Sequence, residues 1–86
     1  MSKNSEACIT AAGKSIATIP AEYKDLHIKN CIPNEQDWDA FNKALCECLN
    51  SKGCAIAESE LDDFWQNNNT FGEMIDYIDK QCGYKT

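Results

Sequence analysis

Apolar residues recur along this chain at intervals of three and four, the spacing that places them on one face of an α-helix, and no stretch carries the strict alternation of a strand. Cys8, Ile9, Ala12 and Ile16 predict a first helix over residues 5–18, with Ser5 as its N-cap. Pro20 ends that segment, because the residue before a proline is pushed out of helical geometry. Trp38, Phe41, Leu45, Cys48 and Leu49 form the clearest stripe and predict a second helix capped by Asn34. Glu35, Asp37 and Asp39 sit where the helix dipole favours negative charge, and Gly53 supplies the left-handed position that closes the helix. Leu61, Phe64 and Trp65 predict a short third helix over residues 58–66. The run Asn67-Asn68-Asn69 stops it, since asparagine side chains compete for backbone hydrogen bonds. The fourth helix opens on a capping box, Thr70-Phe71-Gly72-Glu73, carries Phe71, Met74, Ile75, Ile78 and Cys82 inward, and ends at Gly83.

Residues 19–34 are expected to form a long loop, pinned to the core by Ile19, Tyr23, Leu26, Ile28 and Cys31, with one short turn at residues 21–26. Loops of that length are uncommon in compact domains unless they serve a purpose. The predicted fold is therefore all-α, with four helices around one core. At 86 residues there is room for one domain, residues 1–86, and no second core.

A net charge of −6 sets this surface against nucleic acid and anionic membranes and favours a basic surface on a partner protein. No apolar run approaches the roughly 20 residues of a spanning helix. Met1-Ser2-Lys3-Asn4-Ser5-Glu6 and the Ala/Cys/Ile/Thr mixture that follows do not form the apolar run of a signal peptide, so a cytoplasmic location is expected. On that basis the six cysteines, Cys8, Cys31, Cys46, Cys48, Cys54 and Cys82, are expected to be free thiols packing as small apolar side chains. The alternative is a secreted helical protein stapled by three disulfides.

Little in the chain speaks for catalysis or for a metal. Cys46 and Cys48 are two apart, which puts them about 200° apart around a helix, so they cannot share a metal or pair with each other. Paired C-x-x-C spacing is absent. Cys48 falls on the core stripe and Cys46 is expected to face away from it. The single histidine, His27, lies in the loop with no cysteine close in sequence, so no activated nucleophile is marked. We expect no enzyme activity, no cofactor and no metal. The acidic residues Glu35, Asp37, Asp39, Glu47, Glu58, Glu60, Asp62 and Asp63 bracket the second and third helices. They are either a solvated face or a docking surface. Trp38 and Trp65 read as core residues, although Trp38 at a helix start is also a candidate binding residue.

The order of a helix, a long loop, a long helix, a short helix and a capped last helix resembles the acyl carrier protein fold. The stretch Asn69-Thr70-Phe71-Gly72-Glu73-Met74-Ile75-Asp76-Tyr77-Ile78 looks like the start of that family's last helix, and the likeness covers residues 35–83. The resemblance implies a four-helix bundle and a monomer whose second and third helices meet basic partner proteins or enzymes. It marks Glu35, Asp37, Trp38, Asp39, Glu47, Glu58 and Asp62 as the partner-binding set. Members of the family attach phosphopantetheine to a serine in an Asp-Ser-Leu motif at the start of the second helix. Here that stretch reads Gln36-Asp37-Trp38-Asp39-Ala40, and no serine lies between Ser15 and Ser51. The expectation is a carrier-like protein-binding module without a prosthetic arm. A genuine carrier, with Ser51 as the residual attachment candidate, is the alternative within the family.

Overall fold

Five helices follow one another in the computed structural model, which describes residues 3–14 and 19–84: α1 (Lys3–Gly13), α2 (Ile28–Cys31), α3 (Glu35–Ser51), α4 (Glu58–Gln66) and α5 (Phe71–Cys82). No strand occurs among the described residues. The long helix α3 is the spine. Its Trp38, Phe41, Leu45 and Leu49 are fully buried, and α1 and α4 pack along it. Asn34 caps α3 as the sequence predicts, its Oδ1 accepting from the backbone N–H of Gln36 at 2.8 Å and of Asp37 at 3.4 Å. At the other end Gly53 takes a φ of +88°, which lets the Cys54 N–H turn back to the Leu49 carbonyl at 2.9 Å.

The last helix has both predicted ends. Thr70 Oγ1 accepts from the Glu73 N–H, Glu73 Oε1 accepts from the Thr70 N–H, and Gly83 closes the helix in the left-handed conformation. At α4 only half of a capping box exists, because Ala57 has no side-chain acceptor. Glu60 Oε2 nevertheless accepts from the Ala57 N–H at 2.9 Å.

The first helix departs from expectation. It begins at Lys3, so Ser5 is no N-cap; Ser5 is buried inside α1 and donates a hydrogen bond to Asp79 on α5. The predicted helical residues 15–18 lie outside the described residues. The long connection after α1 holds a turn at residues 23–26 and one helical turn, α2, that periodicity did not reveal. Its carbonyls complete the N-terminus of α5: Leu26 accepts from the Phe71 N–H at 3.0 Å, and Lys24 accepts from the Gly72 N–H at 2.8 Å. The Ile28 N–H in turn donates to the Asn69 carbonyl at 2.8 Å. The connection thus satisfies helix-end donors that would otherwise be unpaired.

The expectation of six free cysteines is overturned. Cys8 is bonded to Cys48, joining α1 to α3, and Cys54 to Cys82, joining the α3–α4 link to the end of α5, with Cα–Cα distances of 5.5 and 5.4 Å. The reason is the burial that made thiols plausible. Cys8 and Cys48 meet between the packed helices α1 and α3, while the turn at Gly53 folds the buried Cys54 of the α3–α4 link against Cys82 at the end of α5. Cys31 and Cys46 remain free and half-buried.

Candidate functional site

Glu35 and Asp39 stand one turn apart on α3, and Glu58 and Asp62 one turn apart on α4. Because the two helices pack side by side, these four carboxylates line one cleft of about 280 Å³, together with Asn42, Ser59 and Gln66. Glu35, Asp39 and Glu58 are exposed, and no lysine among the described residues closes an ion pair on them. The one ion pair among the described residues, Lys24 with Glu6 at 2.8 Å, involves α1 and the loop that follows it.

Asp62 plays a second part. It is half-buried, and its Oδ1 accepts the indole N–H of Trp38 at 2.9 Å while Oδ2 accepts from Gln66 Nε2 at 3.5 Å. Trp38 itself has no exposed surface. The expectation that Trp38 contacts a partner is therefore corrected: its ring stands behind the cleft, stacked on Trp65 and packed near Phe41. The helix face that carries the apolar stripe turns the indole inward, and the hydrogen bond to Asp62 is the only polar link from it to the surface.

The other predicted residues divide. Glu47 lies further along α3, where it and Glu58 line a separate groove of about 490 Å³ with Lys43, Cys46 and the 55–57 segment. Asp37 is exposed on α3 and lines neither the cleft nor that groove. Phe64, expected to face inward, is half-exposed against Tyr77, because α5 presents Tyr77 rather than its apolar stripe at that point.

Asn42 belongs to the site although it was not among the predicted residues. It is 3% exposed, donates through Nδ2 to the Glu58 carbonyl at 2.9 Å and accepts from the Cys46 thiol at 3.5 Å, fixing the first turn of α4 to the middle of α3. The sequence held a signal for it: Asn42 stands four residues after Trp38 and three before Leu45, a core spacing filled by a polar side chain. Burial, then the nearby Glu58 and Glu60 carboxylates, push the Cys46 thiol up to about 11, so it is neutral and a poor nucleophile at ordinary pH.

Among the described residues no group of three or more His, Cys, Asp or Glu is placed to hold a metal ion. The cleft carboxylates present a field rather than a coordination shell. His27 is exposed and uses Nδ1 to donate to the Asn68 carbonyl at 2.6 Å, which ties the loop to the α4–α5 link. Ser51 is the last residue of α3 and donates its hydroxyl to the Cys48 carbonyl at 2.6 Å. Comparison with protein-family models, with curated proteins and with solved structures finds no match to this chain.

Proposed function

We propose that this protein is a non-catalytic binding module, carrier-protein-like in the order of its helices but without a prosthetic arm, that docks a basic protein surface on its α3–α4 face. The observation that carries this is the convergence of Glu35, Asp39, Glu58 and Asp62, from two helices, on one cleft with no cation from the described residues on the three exposed ones. Unneutralised carboxylates at a net charge of −6 raise the rate at which a Lys- or Arg-bearing surface finds the site more than they deepen its affinity.

The absence of an arm rests on the ends of α3. Where a carrier has its serine, α3 opens with Glu35-Gln36-Asp37 behind Asn34, and no hydroxyl is available. Ser51 sits at the opposite end, where the helix dipole is negative and disfavours an attached phosphate. In place of the cytoplasmic expectation, the two disulfides favour an oxidising compartment as the place of action.

The test is kinetic. Association of an octalysine peptide with the immobilised protein is followed at rising salt for the native chain and for the variant Glu35→Lys/Asp39→Lys/Glu58→Lys. The native protein is expected to associate about tenfold or more faster at low salt, with the difference shrinking as salt screens the charges. Equal rates for the two chains at low salt would sink the assignment of this face.

A further inference from the structure

On the opposite flank of α4 lies a second recess of about 340 Å³, between α4 and α5, that the acidic cleft does not include. Its aromatic part is Phe64 and Tyr77, with ring centroids 5.3 Å apart and planes tilted by 52°, and both side chains are only half-buried. Its rim carries Glu60 and Asp63. Tyr77 donates its hydroxyl to Glu60 Oε1 at 2.9 Å, so the ring is held in place. Glu60 is itself fixed by the Ala57 N–H, and Asp63 stands exposed on the recess edge beside it.

We infer that this recess is a binding site for an arginine side chain of a partner protein, taken with its guanidinium against the Phe64–Tyr77 pair and its charge met by Asp63 and Glu60. This rests on the reading of the partner as basic, but not on the α3–α4 cleft being where that partner docks. A planar, weakly hydrated guanidinium stacks on aromatic faces while offering hydrogen bonds at its edge, and a lysine ammonium does this less well. The molecule already makes a contact of this kind internally, since Lys29 Nζ lies 4.6 Å from the Trp65 ring centroid. No cation among the described residues covers Phe64 or Tyr77. Nor can a second copy of this chain supply the guanidinium, because all eight of its basic residues are lysine. Tyr77 stays a neutral phenol under these conditions: its hydrogen bond to Glu60, then burial, then the charges of Glu60 and Asp63 hold its ionisation above the ordinary value.

The experiment is a titration of the isotope-labelled protein, followed by its backbone amide spectrum, with the capped tripeptide Gly-Arg-Gly, its citrulline counterpart and its lysine counterpart. Citrulline keeps the shape and removes the charge. Saturable shifts are expected at Asp63, Phe64, Asn67 and Tyr77 with the arginine peptide, at least fivefold weaker binding with citrulline, and intermediate binding with lysine. Tyr77→Leu should weaken the arginine peptide about two- to fivefold, whereas Tyr77→Phe, which keeps the ring, should retain most of the binding. Spectra of both variants show directly whether the fold is intact. Equal binding of citrulline, or no saturable shift in the recess, overturns the inference. Shifts confined to Glu35, Asp39, Glu58 and Asp62 overturn it too, but leave the acidic docking face standing. Shifts in the recess that persist in the Glu35→Lys/Asp39→Lys/Glu58→Lys chain uphold the inference even if that face fails its own test.

Discussion

Trp38 and Trp65 lie in an offset parallel stack, with ring planes 8° apart and centroids 6.2 Å apart, and each indole N–H has its own acceptor: Asp62 Oδ1 for Trp38 and the Ile32 carbonyl for Trp65. The stack joins α3 to α4 directly behind the acidic cleft. It therefore couples the packing of the core to the position of one of the cleft's own carboxylates.

That coupling predicts the effect of removing the acceptor. Asp62→Ala leaves a fully buried indole N–H unpaired and should lower stability by about 1–3 kcal/mol in urea unfolding. Asp62→Asn keeps an oxygen within reach and should cost less. Equal stability of the alanine and native proteins would show that the hydrogen bond contributes nothing.

The disulfides lead to a count and a stability change. Denatured, unreduced protein should show two free thiols, those of Cys31 and Cys46. The closed segments span 40 and 28 residues and do not overlap in sequence, so the chain-entropy treatment gives about 3–4 kcal/mol for each bond. Reduction should accordingly lower the melting temperature by a large margin. Six reactive thiols in the denatured protein, or a melting temperature indifferent to reductant, would contradict both bonds.

How far the sequence discloses all this depends on whether a feature is local. The ends of α3 and α5 are legible because Asn34, Gly53, Thr70, Glu73 and Gly83 act on backbone groups within a few residues of themselves. The single turn α2 is not, since four residues carry no period. Its first N–H groups are satisfied from afar, by the Asn69 carbonyl and by Asn68 Oδ1. The pairs Glu35/Asp39 and Glu58/Asp62 can be read from i,i+4 spacing, but their meeting in one cleft depends on how α3 and α4 pack. The cysteine pairing escaped for the same reason: an inward thiol and an inward half-disulfide obey one hydrophobic pattern. Tyr77, an aromatic residue beside rather than on the stripe of Met74, Ile75 and Ile78, was a visible sign that α5 has a second contact face.

The caps make a prediction that acid can test. Glu73 lies below its ordinary pKa of 4.5, held there first by the Thr70 N–H and then by the Thr70 hydroxyl. Glu60 lies below the same value through the Ala57 N–H and then the Tyr77 hydroxyl. A folded pKa beneath the unfolded one means stabilisation that is complete above about pH 4.5 and is lost as pH falls through the folded value. Carboxyl-carbon NMR should find both groups titrating below 4.5 in the folded protein. Thr70→Ala should raise the Glu73 value and cost about 0.5–2 kcal/mol of stability at neutral pH. A Glu73 titration unmoved by that substitution would sever the link between cap and carboxylate.

Cys46 provides a test at the alkaline end. Its thiol is pushed up to about 11, first by burial and then by the Glu58 and Glu60 carboxylates, whereas an unperturbed cysteine stands at 9.0. Alkylation requires the thiolate, so at pH 8 iodoacetamide should modify Cys46 in the folded protein roughly a hundredfold more slowly than in the unfolded chain. Cys31, raised by burial alone, should also react more slowly than its unfolded counterpart. For stability the sign is the reverse of the carboxylate caps. The folded pKa of Cys46 lies above the unfolded one, so its contribution is complete below pH 9.0 and is lost as pH rises through about 11. Glu58→Gln and Glu60→Gln each remove a negative neighbour and should bring the thiol partway back towards 9.0, with faster alkylation at pH 8. Mass-spectrometric rates for the two cysteines, in folded native protein, in these variants and in urea, decide the matter. If folded Cys46 reacts at pH 8 as fast as it does in urea, the thiol is neither buried nor under the field of the α4 carboxylates.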